Sequence, residues 1–166
     1  ISKYEAEIAL DALGSRTGMA ITTLRLPLVY GPGAVGRMEQ LIRAISLGLP
    51  LPLGSVRNSR SLLGISNLAD LIARLIERPE PLAGRFLVSD GQDISTPEIV
   101  AALARGMQKR PRMLGVPVPV LRALARLSGK ADLPDKLLGN LTIDSTPIRE
   151  ALHWRPPVSL HQGPVR

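Results

Sequence analysis

The chain contains no cysteine, which excludes a disulfide framework, thiolate nucleophiles and cysteine-ligated metals, and fits a reducing cytoplasm. Aromatic residues make up 2% of the 166 residues, and no nucleic-acid module is recognisable. Little is therefore available to stack on bases, and nucleic acid is not expected as a partner despite a net charge of +7. No apolar run reaches the length of a membrane span, and the first residues lack the layout of a signal peptide. The two histidines, His153 and His161, have no ligand partner at metal spacing, which argues against zinc. No Gly-x-Ser-x-Gly elbow is present, and no Gly-x-Gly-x-x-Gly follows a strand pattern.

What is present describes an α/β chain with a core of its own: 45% hydrophobic, 21% charged, without repeats or low-complexity linkers. Ser2 and Glu5 form a capping box ahead of a helix whose apolar positions run to Leu13, where Gly14 offers a left-handed stop. A β-branched run over Ala20–Leu26 follows, then a Pro/Gly loop over Pro27–Gly33. The spacing further predicts a helix over Met38–Ile45 ended by Gly48, a short extended piece at Leu51–Leu53, a strand over Ser61–Ile65, and a helix from an Asn67 cap to Ile76. A strand over Arg85–Val88 turns at Asp90-Gly91, and a second capping box, Ser95 with Glu98, opens a helix to about Gly106. Val116 closes a short strand before a helix started by Pro119, which is expected to pack its leucines on the body and to solvate Arg122 and Arg126 rather than to lie on a membrane. Asp144 and Ser145 read as caps of a last helix, and Trp154 as the residue that locks it in place. Charge is uneven: residues 1–100 hold ten cations and ten carboxylates, whereas residues 101–166 hold eleven and four.

Four blocks, in order, carry a resemblance. They are Ser2-Lys3-Tyr4-Glu5-Ala6-Glu7, then Leu24-Arg25-Leu26-Pro27-Leu28-Val29-Tyr30-Gly31-Pro32-Gly33, then Arg57 through Asp70, then Asp144 through Pro156 with its Leu152-His153-Trp154-Arg155-Pro156 close. Together they resemble the extended short-chain dehydrogenase/reductases, in particular the nucleotide-sugar epimerases and dehydratases of the UDP-glucose 4-epimerase type. The resemblance implies the end of a Rossmann sheet plus a smaller α/β substrate-binding domain, with residues 1–34 as the remnant of the NAD-binding domain. Residues 35–166 would then be mostly substrate-binding, with segments returning to the Rossmann core.

The same resemblance assigns roles. Lys3 matches the lysine that binds the nicotinamide ribose of NAD and lowers the pKa of a catalytic tyrosine. That tyrosine would fall two residues before Ile1, and Tyr4 is not its equivalent. Pro27 lies where the strand edge abuts the nicotinamide. Arg60 aligns with the arginine that grips the pyrophosphate of a UDP-sugar, a role suited to a planar guanidinium fork. Arg57 is a second substrate-binding candidate, and Lys136 is the nearest cation to a second family arginine. Leu26, Ser61, Gly64 and Asn67 stand where relatives often carry Asn, Asp, His and Asp. The implied parent is an NAD-dependent UDP-hexose 4-epimerase, with a dehydratase or 4-keto reductase as the alternative and a homodimer allowed. Without a tyrosine partner or a phosphate loop, these 166 residues are expected to be the C-terminal portion and inactive alone. A reading from another class is a free-standing module that binds a nucleotide sugar or a partner without catalysis.

Overall fold

The computed structural model describes residues 2–33, 36–127 and 138–159. Helix α1, Lys3–Thr17, opens on the capping box: the Ser2 hydroxyl accepts from the Glu5 amide at 3.2 Å, and the Glu5 carboxylate accepts from the Ser2 amide at 2.7 Å. It does not stop at Leu13. The chain passes through Gly14 and ends at Gly18, whose φ of 73° makes the left-handed cap. Gly14 is small for another reason: a Cβ there would come within 3.0 Å of Ile21 Cγ1 and of the Met19 carbonyl, where the chain folds back. Tertiary crowding, not helix termination, fixes that glycine.

Among the described residues, five short strands make two groups. In the first, β1 (Thr22–Arg25) pairs parallel with β4 (Gly84–Leu87). In the second, β2 (Leu28–Tyr30) pairs parallel with β3 (Arg60–Gly64), and β3 pairs antiparallel with β5 (Asp93–Ile94). The helices are α2 (Arg37–Ser46), α3 (Ile65–Ile76), α4 (Thr96–Gly106), α5 (Val118–Leu127) and α6 (Thr146–Ala151). The Ser95–Glu98 capping box forms as the sequence predicts.

Several expectations change. The cap of α3 is Gly64, and Asn67 sits inside the first turn with its side chain buried. The two-residue β5 follows the Asp90-Gly91 turn in a stretch for which the sequence predicts no element. Val116 forms no strand; the neighbouring Met113 bridges Leu51 instead. Helix α5 begins one residue before Pro119 and buries none of its residues fully, so Leu124 and Leu127 face outward rather than onto the body. At α6 it is the Asp144 carboxylate that accepts from the Thr146 amide, at 2.9 Å, while the buried Ser145 hydroxyl pairs with Ser89.

Burial divides into two cores. Tyr30, Met38, Ile45, Leu62, Val100 and Leu103 pack α2 and α4 on the β2–β3–β5 group. Leu63, Leu71, Val88, Ile148, Leu152 and Trp154 join α3 and α6 to the β1–β4 pair. Successive side chains of a strand point to opposite faces, so the adjacent Leu62 and Leu63 of β3 enter different cores. Trp154 closes the second core as the sequence predicts, with its indole N–H donating to Asp70 at 2.7 Å.

Candidate functional site

Helix α1 is clamped along the β1–β4 pair by charge. The Arg25 guanidinium donates to both Glu7 oxygens, at 2.6 to 3.2 Å, and Arg85 reaches Asp11. The Arg25 hydrogen bond holds the Glu7 carboxyl below the usual carboxylate range, and the same bond raises Arg25. Glu7 meets the last residue of β1, while Gly14 meets Ile21 just ahead of its first. The helix therefore runs antiparallel to β1, and its N-terminus lies beyond the strand's carboxyl end. Lys3, exposed one turn before Glu7, and Pro27, half-buried two residues after Arg25, fall at the same edge.

Arg60 is the first residue of β3. In the parallel register Leu28 stands opposite Leu62, so Arg60 begins β3 at the level where the chain leaves β1 for β2. Its guanidinium is anchored by a donated bond to the Gly139 carbonyl at 3.0 Å. The approach to β3 is also pinned. Asn58 donates to Thr96 and to the Gly139 carbonyl at 2.9 and 3.2 Å, accepts from the Thr96 amide at 2.8 Å, and the Ser59 amide donates to Asn140 at 2.9 Å. Arg57 is exposed on this pinned segment. Lys136 lies outside the described residues. Lys3 and Pro27 thus fall beyond the carboxyl end of β1, and Arg60 at the amino end of β3, two residues ahead of the Leu28–Leu62 pair.

The opposite end of β2 and β3 holds a cluster that sequence reasoning missed. The Asp90 carboxylate accepts from the Tyr30 hydroxyl at 2.8 Å, the Gly64 amide at 3.1 Å and the Asn67 amide group at 2.7 Å. Asn67 in turn exchanges two bonds with the Val158 backbone, at 2.8 and 3.0 Å. Burial, reinforced by Asp90, pushes the Tyr30 phenol well above its ordinary value. Tyr30 is consequently a permanent hydrogen-bond donor and cannot stand in as a phenolate base at neutral pH. Gly31, with φ of 130°, leans so closely on α3 that a Cβ would stand 2.5 Å from Ile65 Cγ2. The only local signal was the Asp90-Gly91 pair, which reads as a turn.

The donor set tests which part of a dinucleotide could sit here. An exposed lysine at a helix start beside a strand's carboxyl end suits ribose hydroxyls, because an ammonium carries three donors and no acceptor. A diphosphate needs free amides at a helix N-terminus. A carboxylate already stands at each of three helix starts: Glu5 on the Ser2 amide at α1, Asp90 on the Gly64 amide at α3, and Glu98 on the Ser95 amide at α4. The chain's residues fit the nicotinamide-ribose end of such a cofactor, and these three helix starts do not fit its diphosphate. No cluster of metal-ligating side chains occurs among the described residues.

The chain is an α/β scaffold that carries Lys3 at a helix start and Arg60 at a strand start. The chain belongs to the NAD-dependent epimerase/dehydratase family, whose model matches residues 1–88. It is 42% identical over 164 residues to a UDP-glucose 4-epimerase of Vibrio cholerae, an alignment covering 98% of this chain and 50% of that protein. Among solved structures, the UDP-glucose 4-epimerase of Thermus thermophilus in complex with NAD superposes with a TM-score of 0.67 at 22% identity, over 95% of this chain and 48% of that one. The dTDP-glucose 4,6-dehydratase of Bacillus anthracis gives 0.66 at 14% identity, over 98% and 49%. The chain spans about half the length of these relatives.

Proposed function

We propose that these residues form the substrate-holding half of a cytoplasmic nucleotide-sugar 4-epimerase acting on a UDP-hexose, and that they do not turn over alone. The observation that carries this reading is the 42% identity to a UDP-glucose 4-epimerase, and the position of Lys3 and Pro27 beyond the carboxyl end of β1 supports it. Lys3 would hold the nicotinamide ribose, and NAD, when bound, supplies the hydride acceptor. The Pro27 edge would exclude water from that face. Arg60 would grip the pyrophosphate, presented by an Asn58-pinned segment that limits how far the guanidinium can wander, with Arg57 and Lys136 as outer cations. In this reading α1, β1 and their loop to residue 34 belong to the cofactor side, and residues 35–166 mostly to the substrate side.

Two measurements test it. Calorimetric titration with UDP should show binding that Arg60→Ala weakens about 10- to 100-fold, the range for a hydrogen bond to a charged group; unchanged affinity would remove Arg60 from the site. The codons ahead of Ile1 should encode a tyrosine two residues before it and a glycine-rich loop further upstream. A start codon in their place would favour a binding module without catalysis. The 4,6-dehydratase or ketoreductase alternative is supported by the fold likeness to a dehydratase, and product analysis with UDP-glucose and NAD on the upstream-extended protein separates the two.

A further inference from the structure

We propose that the cavity at the carboxyl end of α6 binds a small phosphorylated sugar, at a site separate from Lys3 and Arg60. The cavity measures about 520 Å³ and is lined by Thr146, Arg149, Glu150, His153, Trp154 and Arg155. The way α6 ends brings these residues together. The Trp154 amide donates to the Arg149 carbonyl at 2.8 Å and the His153 amide to the Glu150 carbonyl at 3.1 Å, the paired bonds of a Schellman turn. That turn folds the chain back on the helix, so one cavity collects side chains from the last turn of α6 and from the residues after it. Its left-handed position, where glycine costs least, is filled by His153 at a φ of 46°. A backbone conformation that favours glycine is therefore used to hold an imidazole at the cavity.

Arg149 is half-buried, and its guanidinium lies on the bare backbone of Gly91, where a Cβ would stand 2.5 Å from Nη1. The side chains of Arg149, Arg155, His153 and Glu150 have no hydrogen-bond or ion-pair partner among the described residues. Two guanidinium forks and an imidazole thus border one space with a single carboxylate. A phosphate monoester suits this set better than a carboxylate ligand, because its three terminal oxygens and nearly double negative charge can engage both forks at once. The ionised Glu150 carboxylate only accepts, which suits a hydroxyl of the same ligand. A cavity of about 520 Å³ is the size of a small-molecule site and far exceeds what inorganic phosphate fills. Trp154 is 1% exposed with its indole N–H on Asp70, so it offers no face for stacking a nucleic-acid base.

The site is independent of the cofactor side. Leu24 and Phe86 pack into the core that holds α6, whereas their strand neighbours Arg25 and Arg85 pair with Glu7 and Asp11 of α1. Successive side chains of a strand alternate in direction, so α1 and α6 lie on opposite faces of the β1–β4 pair.

The test is calorimetric titration of the whole chain, at fixed ionic strength, with glucose 1-phosphate, inorganic phosphate and methyl glucoside. Glucose 1-phosphate should bind saturably, inorganic phosphate more weakly, and methyl glucoside not at all. Arg149→Gln and Arg155→Gln should each weaken glucose 1-phosphate about tenfold. His153→Gly should weaken it too while melting no lower than the parent, which separates loss of the site from loss of the fold. Arg60→Ala should leave it unchanged, so the outcome stands whether or not Arg60 holds UDP. In proton NMR spectra the His153 imidazole resonances, assigned by their absence from His153→Gly, should move as glucose 1-phosphate is added. The proposal is overturned by the absence of saturable binding, by undiminished affinity in both Gln variants, by loss of binding in Arg60→Ala, or by unmoved His153 resonances. Equal affinity for inorganic phosphate would overturn the assignment to a sugar.

Discussion

The two ends of the β2–β3 pair are built on opposite terms. At the carboxyl end, Tyr30, Gly64, Asn67 and Val158 converge on one another and on Asp90, and Asn67 is wholly buried. At the other end, Arg57 is exposed and Arg60 is held through Gly139. One end spends its polar groups on itself, and the other presents them. A buried polar cluster is stabilising only when every member is satisfied, whereas a ligand site must keep donors available.

The contrast is broken most severely at Asp90. Asp90→Ala strands the Gly64 amide, the Asn67 amide group and the Tyr30 hydroxyl together, and denaturant unfolding should show a loss of about 3 kcal/mol or more. Arg60→Ala should do the reverse, costing UDP affinity as above while leaving the unfolding midpoint nearly in place. Third comes Tyr30→Phe, which leaves Asp90 two of its donors and should cost about 1 kcal/mol.

A pH series sharpens the same point. Because folding raises the Tyr30 phenol, its contribution is whole below about pH 10, where the unfolded tyrosine titrates, and drains as pH climbs toward the folded value. The alkaline decline in stability should be shallower in Tyr30→Phe, and an identical decline would show that the phenol is not the group responsible. The smallest effect lies outside both ends. His153 holds φ at 46° after α6, a conformation cheaper for glycine, so His153→Gly should raise stability by up to about 1 kcal/mol in thermal or chemical melts.

Legibility follows the range of the interactions. Both capping boxes, Ser2–Glu5 and Ser95–Glu98, form where the sequence predicts them, since their partners lie three residues apart. Asp90 is silent in the sequence because its partners Tyr30, Gly64 and Asn67 lie 60, 26 and 23 residues away. Asn67 reads as a helix cap for the same reason: local chemistry allows it, and a distant carboxylate and Val158 claim it instead. Gly14 looks like a stop signal until the return of the chain at Ile21 explains it. The register of β2 on β3, which pairs Leu28 with Leu62 and so sets Pro27 and Arg60 just ahead of one rung, is carried by no local pattern.

Leu62 and Leu63 have a consequence for how the molecule comes apart. Each belongs to a different core, yet one peptide unit joins them, so neither core can lose β3 without disturbing the other. Heating should produce a single transition seen alike by far-ultraviolet dichroism and by the fluorescence of Trp154, which reports only the second core. The strand acts as a mechanical coupling, and opening on either side would be felt across the sheet as a shared loss of protection rather than as a local breath.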